Sequence, residues 1–123
     1  MIASSDGPSG LMYGFDVDRT GSASPVHATA DIGSDFPADT AYRWLHFDLN
    51  EPGTKASLKE LVPSIVVSAL TASDTRPRAE LLEGALLLIF RGINLNPNAD
   101  PEDMISLRLW TDGRTVITTR LRR

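Results

Sequence analysis

His46 and Asp48 stand two residues apart in a stretch that alternates apolar and polar side chains, so an extended backbone puts both on one face. An imidazole nitrogen and a carboxylate are ligands that Zn²⁺ accepts together. Glu51 lies just beyond. The competing account makes His46 and Asp48 polar strand residues, satisfied by neighbouring backbone or by an arginine. That account carries more weight, because a structural zinc takes about four protein ligands. The other histidine, His27, falls in a different segment.

Asp100, Glu102 and Asp103 form a second cluster, all oxygen ligands on one loop. Hard cations such as Mg²⁺ favour carboxylates and retain part of their water shell. The same order of residues, Asp100-Pro101-Glu102-Asp103, also starts a helical turn, where acids cap free amides. For a single copy of the chain, capping is the better account. Arg76 and Arg78 flank Pro77 near Asp74 and Glu80. A phosphate site is conceivable there, but no glycine-rich loop follows a strand. A structural ion pair or a subunit contact fits better. Nucleophilic catalysis has no support: the chain has no cysteine, no Gly-x-Ser-x-Gly elbow and no histidine in a triad context. No catalytic and no cofactor-binding residue is therefore assigned, and the chain is read as a non-enzyme. The candidate metal ligands are His46, Asp48, Asp100 and Asp103; no cofactor is required, and Zn²⁺ or Mg²⁺ is the ion these groups would take.

These residues need elements to hold them. Residues 1–10 are rich in Ser, Gly and Pro and read as a flexible lead. Residues 11–17 alternate as a strand, and Gly21-Ser22 turns the chain into a second strand over 25–28. Residues 29–40 read as a loop. Residues 41–49 predict a strand with Leu45, Phe47 and Leu49 on one face and Tyr42, Trp44, His46 and Asp48 on the other. Trp44 suggests partial cover on that second face. Asn50 is placed to cap the helix that follows, with Pro52 in its first turn. Apolar residues then recur at helical spacing, but Pro63 interrupts them, so the spacing predicts two helices, 52–61 and 63–72. Residues 74–77 break the pattern.

Two hairpins complete the chain. Strands 78–82 and 85–93 meet at Glu83-Gly84, and the second is apolar on both faces, which predicts a central, doubly covered position. Strands 104–110 and 115–120 meet at Asp112-Gly113, a two-residue turn signal. Ile105, Leu107 and Leu109 share one face of the former; Ser106, Arg108 and Trp110 share the other. The outcome is an α+β (mixed α/β) fold, a mostly antiparallel or mixed sheet with a short helical pair. Two helices are too few to cover both faces of such a sheet. C-terminal helices beyond this stretch, or a partner subunit, would supply the missing cover.

The bulk numbers set limits. With 123 residues the chain fits one domain, here 11–123, able to bury a core without staples. The absence of cysteine excludes disulfides and thiolate metal sites and fits a reducing compartment. A formal net charge of -4 argues against nucleic acid and anionic lipid as partners, and mildly favours cations. No apolar run approaches the ~18 residues a spanning helix needs. The longest, 85–90, is strand-sized. No basic segment followed by an apolar one opens the chain, so no signal peptide is expected.

Three segments together resemble the cytoplasmic N-terminal domain of the ZntB-like branch of the CorA metal-ion transporters. They are Tyr42-Arg43-Trp44-Leu45-His46-Phe47-Asp48-Leu49-Asn50 with Pro52, then Thr75-Arg76-Pro77-Arg78, then Arg91-Gly92-Ile93-Asn94-Leu95-Asn96-Pro97 continuing through Ala99-Asp100-Pro101-Glu102-Asp103-Met104 to Leu107-Arg108-Leu109-Trp110. They cover roughly two thirds of the chain. The resemblance implies a homopentamer whose soluble domains form a cytoplasmic funnel below a pore, with a long helix and two membrane spans following. It implies divalent cations as cargo, zinc in this branch and magnesium in the CorA branch. It also implies a location on the cytoplasmic side of the inner membrane, with contact to the bilayer only through the segment that follows.

The family's pore triplet, Gly-Met-Asn or Gly-Ile-Asn, comes after the first membrane helix. Gly92-Ile93-Asn94 matches it by letter, but here it closes a strand. The chain on this reading is soluble and transports nothing by itself; it assembles subunits and attracts cations. The alternatives are a stand-alone protein-interaction domain without a metal role, and a small enzyme of unknown chemistry.

Overall fold

The computed structural model describes residues 10–26, 39–72, 77–82, 84–92 and 105–121. The described elements are β1 (Leu11–Asp18), β2 (Ala23–Pro25), β3 (Thr40–Asp48), α1 (Thr54–Lys59), α2 (Ser64–Thr71), β4 (Arg78–Leu82), β5 (Ala85–Gly92), β6 (Ile105–Thr111) and β7 (Thr115–Leu121). The strands form a seven-stranded sheet in the order β2-β1-β3-β7-β6-β5-β4. Neighbours pair antiparallel except β3 and β7, which are parallel. A parallel pair demands a long crossover; here it holds both helices and three strands. The mixed sheet with a short helical pair agrees with the α+β expectation. Residues 1–9, the loop 29–38 and Gly-Ile-Asn positions 93 and 94 lie outside the described residues.

Pro63 splits the helical stretch as expected. It has no amide hydrogen to continue α1, and its carbonyl instead accepts from the amides of Val66 and Val67 in the first turn of α2. Gly53, not Asn50, is the N-cap of α1. The Asn50 amide is held by Asp48 Oδ1 at 2.9 Å, within the bend that leaves β3. The β6–β7 turn is displaced by one residue from the expected Asp112-Gly113. Asp112 donates its amide to the Thr115 carbonyl, leaving Gly113 and Arg114 as the central pair. Gly113 takes φ 95°, which glycine adopts without steric cost. Asp112 Oδ1 accepts from the amides of Arg114 and Thr115 and fixes the turn.

One face of the sheet is sealed by the helices. Leu45, Ile117, Trp110 and Leu87 lie opposite one another across β3, β7, β6 and β5. They join Phe47, Leu58, Val66, Val67 and Leu70 in one core. Polar groups also sit within this face, Arg43, Arg108 and Thr119 among them. Arg43 reaches Asp16 across β1–β3 through Nε and Nη2 at 2.6 and 3.0 Å, a fork-on-carboxylate pair shielded from water. Arg108, only 1% exposed, donates Nη1 to the Leu70 carbonyl at 2.9 Å and Nε to Ser106 Oγ at 3.1 Å. Thr119 Oγ1 donates to the same carbonyl.

The opposite face is a different surface. Leu107, Phe90 and Leu81 stand exposed, and Leu86, Leu88 and Leu109 are half-buried. The expectation that β5 is covered on both sides therefore fails for this chain. Ala85, Leu87 and Ile89 are buried, whereas Phe90 is 49% exposed. The reason is that the described helices pack on one side of the sheet.

Replacing Arg108 with Ala removes both of its bonds and leaves a cavity under α2. Urea denaturation of Arg108→Ala is expected to show a loss of about 3 kcal/mol. Leu81→Ala, at a position 80% exposed, should shift stability by less than about 0.5 kcal/mol.

Candidate functional site

β3 delivers His46 and Asp48 to the open face, as the alternation predicts, and β7 lies alongside in parallel register. His46 therefore faces Thr118, and Asp48 faces Arg120. Thr118 Oγ1 sits 2.8 Å from Trp44 Nε1, which donates to it, and 2.7 Å from His46 Nδ1. The hydroxyl has one donor and two acceptor sites, so it accepts from the indole and bonds Nδ1 whichever ring nitrogen carries the imidazole proton. Tyr13 from β1 stacks on the imidazole at 5.0 Å between centroids with a 20° tilt, and also meets Trp44 edge-on at 5.3 Å. Phe15 extends the aromatic group. His46 is thus only 4% exposed although it lies on the uncovered face.

The electrostatics follow from this packing. Burial holds the His46 pKa below its ordinary value; the Arg120 charge lowers it further, and Asp48 opposes both. Thr118 and Arg120 were missed from sequence because their meeting with β3 is non-local. Tyr13 carries only the general signal of an aromatic residue on an alternating strand.

His46 and Asp48 share a face, but among the described residues no group of three or more His, Cys, Asp or Glu could hold a metal. Asp48 is engaged by the Asn50 amide and sits opposite Arg120. Asp100 and Asp103, with Glu102, His27, Asp74 and Arg76, fall outside the described residues. Arg78 pairs with Glu80 at 3.0 Å. This is the ion-pair account, at an exposed position where such a pair contributes little.

Comparison with known proteins bears on the whole chain. The family described as CorA-like Mg2+ transporter protein matches residues 39–123. A divalent cation transporter, CmaX of Pseudomonas aeruginosa, is 38% identical over 116 residues, which is 92% of this chain and 35% of that protein. The structure of full-length CmaX superposes with a TM-score of 0.82 at 36% identity, covering 98% of this chain and 37% of that one. The ZntB cytoplasmic domain from Vibrio parahaemolyticus superposes with a TM-score of 0.71 at 29% identity, covering 93% of this chain and 44% of that one. The seven-stranded mixed sheet with two short helices thus matches the cytoplasmic domains of both. The chain spans about a third of the length of the curated relatives it matches.

The His46 environment yields a pH prediction. Its folded pKa lies below its unfolded value, so between the two the unfolded chain binds the extra proton. Stability is then complete above about pH 6.5 and is lost as pH falls through the interval below it. Urea midpoints are expected to drop between pH 7.5 and pH 5.5, and to drop less in His46→Gln; an equal drop in both would remove His46 from the account.

Proposed function

The chain belongs to the CorA-like Mg2+ transporter family, and from that premise we propose that it is the cytoplasmic domain of a divalent-cation transporter, with zinc as the cargo. The observation that carries this reading is similarity along nearly the full chain, in sequence and in fold, to two proteins named for cation transport or as its cytoplasmic part. Zinc is favoured over magnesium by the likeness to proteins described as zinc transport protein ZntB. In this role the domain performs no turnover. It joins copies of itself into a ring, proposed to be a pentamer, and its net charge of -4 raises the local concentration of cations near the ion path. The location is the cytoplasmic side of the membrane, and the apolar open face suits a further layer of protein packed against it. Direct cation contacts are proposed at His46, Asp48, Asp100 and Asp103, where an ion would use imidazole nitrogen and carboxylate oxygen.

Two experiments separate the levels of this reading. A chimera carrying this chain in place of the matching third of CmaX, reconstituted in vesicles, should retain Zn²⁺ uptake; a chimera that assembles but takes up no divalent cation refutes the role. Calorimetric titration of the 123-residue chain with Zn²⁺ and with Mg²⁺ addresses the ligands. Asp100→Asn with Asp103→Asn should weaken binding by about tenfold or more, and unchanged binding ends the role of that loop.

A further inference from the structure

β4 is one edge of the sheet, and among the described residues no strand pairs with its outer side. Such an edge presents backbone donors and acceptors that another chain can bond. Which residues present them follows from the hairpin. Leu82 and Ala85 are partners with two residues between them, so they exchange both backbone bonds, and alternation has Glu80 and Arg78 do the same with Leu87 and Ile89. The amides and carbonyls of Ala79 and Leu81 therefore point away from β5. The opposite edge of the sheet, β2, is a three-residue strand that ends in Pro25 and offers fewer donors.

The charges on β4 select the partner. Arg78 and Glu80 share one face of the strand, with Arg78 Nη1 3.0 Å from Glu80 Oε1 and the two side chains 43% and 40% exposed. Charges on an edge ordinarily keep other strands away. Here their order, a cation two residues before an anion, is self-complementary. An antiparallel copy related by a two-fold axis through Ala79 sets Arg78 opposite the partner's Glu80, and Glu80 opposite the partner's Arg78. Each arginine then lies between two carboxylates, its own strand's and the partner's. Moving the axis by one residue, to Glu80, would oppose two like charges. On the reverse side of the strand, Leu81 is 80% exposed and meets the partner's Pro77 in the same register.

We propose that β4 pairs edge to edge with β4 of a second copy of this chain, antiparallel about Ala79, and joins the two sheets into one. The Ala79 residues of the two copies exchange both backbone bonds, and the Leu81 amide donates to the partner's Pro77 carbonyl. Proline has no amide to return, so the Leu81 carbonyl stays on water at the rim. The contact is isologous and closes at two copies. It is distinct from the ring contact of the proposed function and does not depend on cation transport.

Sedimentation equilibrium of the 123-residue chain is the test. A monomer–dimer equilibrium is expected, with half-association between about 10 µM and about 1 mM, as so small a contact implies. Arg78→Glu and Glu80→Arg, each alone, oppose like charges and should weaken association by about tenfold or more. Mixed in equal amounts, the two variants should associate with each other about as strongly as the parent chain does with itself, since each supplies the charge the other lacks. Ala79→Pro removes an outward amide that the sheet does not use. It should abolish the dimer while the circular dichroism spectrum stays that of the parent. A chain still monomeric at about 1 mM, association indifferent to Arg78→Glu and Ala79→Pro, or no recovery in the mixture would overturn the proposal.

Discussion

The carbonyl of Leu70 is where the helical layer is fastened to the sheet. It lies in the last turn of α2, where backbone acceptors have no intrahelical donor. Arg108 from β6 and Thr119 from β7 both donate to it, and these two residues face each other across the pair of strands. A guanidinium at a helix C-terminus also meets the negative end of the helix dipole. Among the described residues no carboxylate lies within ion-pair distance of Arg108. Its charge is accommodated by backbone and hydroxyl oxygen, and burial holds its pKa below the ordinary value. Such a group is costly to bury and costlier to leave unbonded. The position of α2 over β6 and β7 is thereby fixed.

That placement divides the sheet. Since side chains alternate along a strand, Arg108 and Trp110 beneath the helices send Leu107 and Leu109 to the other side. The same holds for β3, where Leu45 and Phe47 enter the core and Trp44 and His46 do not. The uncovered side is therefore apolar through the middle of the sheet and aromatic around His46. Within it the Trp44–Thr118–His46 hydrogen bonds form a small polar island that is already satisfied, with Tyr13 over it. Broad exposed apolar surface is characteristic of faces that meet further protein.

Much of this was legible in advance because it is local. A proline inside a helical pattern ends one helix and can begin the next, as Pro63 does; alternation marks β3, and the Asp112-Gly113 dipeptide marks a reversal within a residue of its true centre. The displaced turn shows the limit. Asp and Gly both favour turns, and only the pairing of Asp112 with Thr115 decides which residues are central. Asn50 failed as a cap for a similar reason: the chain spends three more residues in a bend before α1 begins. For the candidate site, the shared face of His46 and Asp48 was readable, while the Thr118 and Arg120 contacts were not. They arise from a parallel pairing across some seventy residues of chain, as the separation of 72 between His46 and Thr118 records.

The sequence by itself determined the strands, the split helical pair, the mixed α+β class and the family, because propensity, alternation and turn chemistry act over a few neighbouring residues. Only the tertiary structure decided which side of β6 and β5 is buried. The alternation of β6 is equally compatible with either choice, and hydrophobicity alone would have turned Leu107 and Leu109 inward. The hydrogen-bonding needs of the Leu70 carbonyl and the Arg108 guanidinium selected the opposite face. The surroundings of His46 and Trp110 follow from that same choice.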